Sequence, residues 1–325
     1  MIKRIGIILL QLLVTGGGLF YVFHDPQKRA QIADALRHSD IRWLALAWVC
    51  YGAVEVIATV RWQVLLRIQG ICLGWLRAGA IVMIGLFFNM FLPGLVGGDV
   101  VRLYFVFKLA RGQKTRATLS VAMDRLFGLL SIIFLGGLSL WLRFDWLKSS
   151  AASLHITYVA LSLLGIGLTF AVFLFFAAGF GLLHKLPKQM PFRKEIVELA
   201  EALKLYRAHV WPMVSLFGIT VASHVAYYVS FYCAAQSLHG AARSASLVDM
   251  LSIMPLVNTV TSLPISLGGV GVRETLFQEL LGNLAHMPSA LAALAASLGF
   301  VVQASWGVIG AATFLLSRKL SAPVK

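Results

Sequence analysis

Six stretches of about 20 predominantly apolar residues run through this chain, at 5–23, 43–60, 118–142, 156–183, 213–238 and 290–316. A helix of that length matches the hydrocarbon thickness of a bilayer. Only 13% of the residues are charged and 59% are hydrophobic, whereas a soluble domain carries about 25% charged residues. The expected fold class is all-α, a polytopic integral membrane helical bundle with about six spanning helices. The first run follows Lys3 and Arg4 and resembles a signal peptide. It lacks a small-residue cleavage site before His24, Asp25 and Pro26, so it reads as a retained helix. The net charge of +15 fits basic loops at a membrane surface, set by topology and anionic headgroups, and not a nucleic-acid partner.

Two further apolar regions, 78–107 and 248–284, are each interrupted by the same motif. The first reads Asn89, Pro93, Gly97, Gly98, Asp99 and Arg102. The second reads Asn258, Pro264, Gly268, Gly269, Gly271, Arg273 and Glu274. In both, a glycine pair begins four residues after the proline and an acid and an arginine follow. Proline and paired glycines break helices. Broken helices at membrane depth survive only where protein or water satisfies the freed backbone. The half-segments are short for crossing the bilayer, which suggests two re-entrant or short-helix hairpins. Broken segments at corresponding places in two halves point to a transport site at a repeat interface.

Charge sets an orientation. Lys3 and Arg4 put the N-terminus in the cytoplasm. Counting spans then puts Arg61, Arg67, Arg77, Lys108, Arg111, Lys114, Arg116, the basic stretch 185–207 and the C-terminus on the same side. Arg143, Asp145 and Lys148 fall in a short outer loop. The segment 24–42 is the one basic stretch left outside. One hairpin then enters from each face, an inverted-repeat arrangement, although only the hairpins align between the halves. Counting each hairpin as two full spans gives the same orientation. The chain reads as a single domain, 1–325, with halves at about 1–183 and 212–317. A cytoplasmic amphipathic linker, 184–211, joins them: Phe192, Ile196, Leu199, Leu203, Tyr206 and Val210 share one face. A short outer helix over 30–36 is expected after Asp25 as N-cap and Pro26 at the first helical position.

The buried charges are the candidate site. Asp99 reads either as an N-cap or as a cavity acid. Arg102 and Arg273, each near a helix start, make anion-binding positions; the alternative for Arg102 is an internal ion pair with Asp99 or Glu274. Glu274 reads as the acid of a capping arrangement. A charge at the bilayer centre costs about 3 kcal/mol, so two arginines and two acids there imply a polar cavity. Asp124 and Arg125 either line that cavity or pair near the cytoplasmic end. Glu55 has no partner within a turn and needs one from another helix. Arg61 beside Trp62 reads as an interfacial anchor. His224, with Tyr227 and Tyr228, reads as a packed histidine before a proton relay. Cys50, Cys72 and Cys233 are scattered and serve as small apolar fillers. No nucleotide loop, metalloprotease helix, nucleophile elbow or metal spacing is present, so no catalytic residue, metal or cofactor is expected.

Taken together, the Asn89–Arg102 string, Arg61-Trp62 with Leu65-Leu66, Asp124-Arg125 and the Leu263–Glu274 string resemble the lysylphosphatidylglycerol synthetase/flippase transmembrane-region family. This is the N-terminal flippase domain of MprF-type proteins, which also occurs as stand-alone YbhN-like and hopanoid-associated members. The resemblance covers about 5–316. It implies a lipid-translocating membrane domain and carries site expectations to Asp99, Arg102, Arg273 and Glu274. The family often has Glu where Asp124 stands. No soluble aminoacyltransferase domain follows, so lipid aminoacylation by this chain is not expected.

The expectation is a non-enzymatic inner-membrane lipid flippase or transporter for a polar or anionic headgroup. Arg102, Arg273, Asp99, Glu274, Asn89 and Asn258 would line the headgroup site. Pro93, Gly97, Gly98, Pro264, Gly268, Gly269 and Gly271 would act as hinges, with Asp124, Arg125 and Glu55 in support. The partner is a membrane lipid: phospholipid, aminoacyl-lipid, hopanoid or polyprenyl-linked. A homo-oligomer or a lipid-modifying enzyme are the protein partners this reading admits. The alternative is a non-transporting scaffold or accessory subunit of a lipid- or glycan-modifying enzyme, docking through 108–116 and 192–210.

Overall fold

The computed structural model describes residues 11–17, 19–20, 24–91, 97–110, 112–179, 205–206, 208–238, 245–263 and 265–316. Those residues form helices joined by short turns and connections, with no strand among them. The elements are α1 (Pro26–Arg37), α2 (Ile41–Ile68), α3 (Trp75–Phe91), α4 (Gly97–Leu109), α5 (Lys114–Leu147) and α6 (Ala151–Gly179). Then come α7 (Val210–Gln236), α8 (Leu247–Thr261), a 3-10 turn (Leu267–Gly269), α9 (Val272–Leu284) and α10 (Ser289–Leu316). Five of these, α2, α5, α6, α7 and α10, contain apolar windows long enough to cross a membrane. Of the first predicted span, 5–23, residues 11–17 and 19–20 are described and are helical, and most of the amphipathic linker, 184–211, lies outside the described residues.

Both interrupted regions fold as helix–break–helix. At a rise of about 1.5 Å per residue, α3 and α4 are about 25 and 20 Å long, and α8 and α9 about 22 and 20 Å. Each falls short of the roughly 30 Å hydrocarbon core. Pro93 and Pro264 both lie outside the described residues. α1 starts as the sequence suggests: the Asp25 carboxylate accepts from the Gln27 amide at 2.9 Å and Pro26 opens the helix.

The packing makes the repeat visible. Within the first half α2 packs on α3 and α5, α3 on α4, and α4 on α5. In the second half α7 packs on α8 and α10, α8 on α9, and α9 on α10. Most contacts between the halves obey the same exchange, the exceptions including those of α6 with α8 and α9. α3 packs on α10 as α8 packs on α5, α2 on α10 as α7 on α5, and α2 lies directly along α7. Exchanging α2, α3, α4 and α5 with α7, α8, α9 and α10 maps every one of these pairs onto another, as a repeat would. The sequence alone aligned only the hairpins; the packing extends the correspondence to α2–α5 and α7–α10.

Two details depart from expectation. Arg143 and Asp145 are not in a loop, because α5 runs on to Leu147 with a kink at Arg143 (φ −133°, ψ 23°). Arg143 uses that kink to reach across the bundle: it pairs with Asp249 at 2.7 Å and lies 4.3 Å over the Trp146 ring. Asp249 is also the third residue of the capping box that starts α8 from Ser246. The second detail is Pro255 inside α8, which cannot donate to the Leu251 carbonyl. Ser139 of α5 bonds that carbonyl at 3.4 Å, while also bonding Leu135 of its own helix at 2.8 Å. A neighbouring helix thus supplies the donor that the proline removes.

Candidate functional site

Backbone contact builds the first hairpin. The Gly98 amide donates to the Asn89 side-chain oxygen at 2.9 Å. A Cβ on Gly98 would overlap the Gly85 carbonyl and the Asn89 amide, so α3 and α4 touch main chain to main chain. Gly85, one turn before Asn89, is a part of the motif that the sequence reading missed; its ideal Cβ would sit 3.0 Å from the Arg102 side chain.

Around this contact the charges alternate in a ladder that crosses three helices. Arg61 of α2 donates to Asp124 of α5 at 2.6 Å, and Asp124 accepts from Arg102 of α4 at 3.0 Å. Arg102 lies 3.5 Å from Asp99, and Arg125 grips Asp99 with two bonds of 2.7 and 2.9 Å. Asp124, Asp99 and Arg102 are buried, and the Arg102 guanidinium stacks 4.3 Å over the fully buried Trp62. Two sequence readings are corrected here. Arg61 is a ladder member and not an interfacial anchor, because Asp124 draws it inward. Asp99 sits in the first turn of α4 and spends its carboxylate on arginines, with no N-cap bond to the backbone. For Arg102 the internal ion pair is found, with Asp99 as one of the two partners offered and with Asp124 in addition, and no pair with Glu274 is present among the described residues.

The second hairpin is built differently. Gly268, Gly269 and Gly271 have φ of 58°, 77° and 84°, a left-handed run that only glycine adopts without strain. It turns the chain into α9, where Glu274 closes the cap as expected: its carboxylate accepts from the Gly271 amide at 2.6 Å and from the Ser297 hydroxyl at 3.2 Å. With Glu274 committed, Arg273 has no carboxylate partner among the described residues. It is 5% exposed, bonds the Gly268 carbonyl at 3.0 Å through Nη2, and leaves Nη1 without a partner among the described residues. Phe231 and Phe300 flank the guanidinium at 5.6 and 5.3 Å. The two arginines of the repeated motif therefore differ in kind: Arg102 is neutralised in place, and Arg273 is a buried cation with an open donor.

The hairpin breaks approach each other. α3 packs on the 3-10 turn, and an ideal Cβ on Gly268 would stand 3.8 Å from the Met90 carbonyl oxygen. Glu55 of α2 is buried at 8% exposure, one helical turn after Tyr51. The Tyr51 ring meets Tyr227 of α7 edge-on at 6.1 Å, and Tyr227 meets Phe231 at 5.1 Å. No ion pair of Glu55 with another helix is present among the described residues, where the sequence called for such a partner. Asn258 is half-buried beside Tyr228 rather than at Arg273. His224 bonds the Thr220 carbonyl at 3.0 Å, as a packed histidine does. Among the described residues, no group of three or more His, Cys, Asp or Glu gathers in a way that could hold a metal ion.

This chain matches a family of known membrane proteins. Residues 8–311 fit the family described as the lysylphosphatidylglycerol synthase TM region, and the chain belongs to it. It is 28% identical over 100 residues to a UPF0104 membrane protein of Pyrococcus horikoshii, covering 30% of each chain. It is 27% identical over 105 residues to a UPF0104 membrane protein of Methanocaldococcus jannaschii, covering 32% of this chain and 31% of the relative. The matched stretches thus span about a third of those relatives. The chain is a multi-pass membrane protein of this family.

Proposed function

We propose that this member of the lysylphosphatidylglycerol synthase TM region family is a lipid transporter of the inner membrane, with both termini in the cytoplasm. In this reading the headgroup enters between the hairpins while the acyl chains stay in the bilayer. The observation that carries it is Arg273: a guanidinium 5% exposed with one nitrogen unpartnered, at the point where the second hairpin meets the first. A buried cation without a counter-ion is costly unless something negative visits it. A polar headgroup bearing phosphate fits that need, and a planar guanidinium suits phosphate oxygens.

The Arg61–Asp124–Arg102–Asp99–Arg125 ladder then fixes the first hairpin, while Arg273 receives the headgroup. Movement of one half against the other would expose Arg273 to alternate faces, as inverted repeats do around a central site. The chemistry is binding and release, with no bond made or broken.

The test is reconstitution of the full chain into liposomes carrying fluorescent lipids of several headgroups. Dithionite quenching reads how fast label reaches the other leaflet. The expected result is headgroup-selective acceleration by the wild type that falls at least tenfold in Arg273→Ala and is largely retained in Arg125→Gln. Rates equal to protein-free liposomes for every headgroup would overturn the reading. Co-purification with a lipid- or glycan-modifying enzyme would then point to the accessory-subunit alternative.

A further inference from the structure

The ion pairs of this bundle are of two kinds. The ladder lies wholly within α2, α4 and α5, so it ties one half together and does not cross to the other. Among the described residues one ion pair does cross: Arg143 of α5 to Asp249 of α8, at 2.7 Å. The two charged groups also stand at opposite ends of α5. Arg143 follows Arg125 by 18 residues. That is about 27 Å of helix at about 1.5 Å per residue, close to the roughly 30 Å hydrocarbon core. With both termini in the cytoplasm, as proposed, the ladder stands at the inner boundary and Arg143 at the outer one.

Exposure decides which of the two sets can open. In the ladder the Arg61, Asp124 and Arg102 side chains are 11, 5 and 9% exposed, so parting them strands a charge away from water. Arg143 is 28% and Asp249 14% exposed, and water can take over what that pair gives up. Each also keeps a partner on its own side of the seam. Arg143 lies 4.3 Å over the Trp146 ring. Asp249 accepts from the Ser246 amide at 3.0 Å and from its hydroxyl at 2.7 Å. Separating α5 from α8 therefore leaves neither charge alone. The other polar ties from the end of α5 to the second half are slight: Trp146 Nε1 donates to the Leu284 carbonyl at 3.2 Å, and Ser139 reaches the Leu251 carbonyl at 3.4 Å. α8 also leads inward to the headgroup site. An ideal Cβ on Gly269 would stand 3.0 Å from both the Thr261 Cβ at the end of α8 and the Arg273 Nη2, so a shift of α8 is passed to the turn beside Arg273.

We infer that the Arg143–Asp249 pair is the outer lock between the two halves: paired, it shuts the α5–α8 seam, and its release opens that seam to the outer face as a path to Arg273. This rests on the transport reading and supplies the gating step that reading needs. A lock has to hold the closed state and still let go. A fully buried pair holds too firmly, because its charges have nowhere to go, and a fully exposed one holds hardly at all. A partly wet pair with a second partner waiting on each side lies between these limits. α5 and α8 are packed elements of different halves, so the seam switches between two arrangements and does not stretch by degrees.

The test reads access to the seam from each side. The full chain carries Ser139→Cys as reporter, a buried position facing α8 one turn inside Arg143, with Cys50, Cys72 and Cys233 replaced by alanine. A neutral, membrane-impermeant maleimide is added to right-side-out or to inverted membrane vesicles. With the lock intact the reporter thiol should react slowly from both sides. Arg143→Gln, and Asp249→Asn, which keeps an acceptor for the Ser246 cap, should each speed labelling about tenfold from the outer side, as loss of a partly buried pair implies. Neither should change labelling from the cytoplasmic side. Arg143→Lys should keep most of the protection, and Arg125→Gln in the ladder should keep all of it. Sodium chloride at about 1 M, which shortens screening to about 3 Å, should speed outer labelling when the lock is intact and leave Arg143→Gln unaffected. Thermal melts show which variants are folded.

Outer labelling that stays slow in folded Arg143→Gln and Asp249→Asn overturns the lock. Equal acceleration from both sides overturns it too, since that marks a general loosening of the bundle. If neither variant folds, the salt series on the reporter chain decides alone, and labelling that ignores salt overturns the lock. Labelling needs no lipid, so the two readings fail separately. One-sided labelling with no lipid movement in the liposome assay keeps the lock and overturns the lipid reading; lipid movement without one-sided labelling does the reverse.

Discussion

Asp124 holds two guanidiniums at once, Arg61 at 2.6 Å and Arg102 at 3.0 Å, with its side chain 5% exposed. Replacing it by Asn keeps the shape and removes the charge, leaving both arginines buried without a full counter-ion. Breaking a buried pair by removing one partner costs about 3–5 kcal/mol. Asp124→Asn should therefore lower the melting temperature in detergent sharply. Arg125→Gln should cost less than about 1 kcal/mol, because the Arg125 side chain is 51% exposed and solvent screens its pair with Asp99. Equal melting temperatures for the two variants would remove the ladder as a structural element. Rarity made most of these charges visible in the sequence: ionised residues inside apolar runs stand out. Their partners were not visible, since Arg61 and Asp124 are 63 residues apart and only the crossing of α2 and α5 brings them together. Arg61 was misread for that reason; next to a tryptophan near a helix end, it has the local signature of an interfacial anchor.

Helix boundaries and hairpin breaks were legible because proline, paired glycine and apolar length are local signals. What the signals do not encode is how two half-helices touch. Gly98 is buried against the Gly85 carbonyl, so Gly98→Ala must push α3 and α4 apart. Overpacking of this kind costs about 1–3 kcal/mol where neighbours can yield, and here the neighbour is backbone. The variant should show lower yield and a lower melting temperature than the wild type, and unchanged values would mean that the hairpin is looser than the contact implies. Ser139→Ala provides a milder comparison. It removes the hydroxyl that bonds the Leu251 carbonyl opposite Pro255, and loss of one such bond costs about 1 kcal/mol. A melt shift smaller than that of Gly98→Ala is expected. Gly85 and Ser139 escaped the sequence reading because small residues in apolar helices are common and only the facing helix gives them a role.

At the scale of the molecule, the exchange relation among the helices makes α2 and α7 the pair that faces itself across the two halves. Any rocking of the halves must move this seam or pivot on it. Two thiols sit in it, Cys50 of α2 and Cys233 of α7, free and in side-chain contact. Their 183-residue separation carries no spacing signal that would pair them; only the packing of α2 on α7 joins them. In a Cys72→Ser background, copper phenanthroline should oxidise the two thiols to one intramolecular disulfide, with loss of both thiols to labelling and no dimer on a non-reducing gel. If the halves move relative to each other at this level during transport, the crosslinked protein should translocate lipid at the protein-free rate. Dithiothreitol should restore the wild-type rate, and a Cys50→Ala variant should be indifferent to the oxidant. Full transport by fully crosslinked protein would make the α2–α7 seam a fixed axis, and the motion that exposes Arg273 would then have to occur in the hairpins alone.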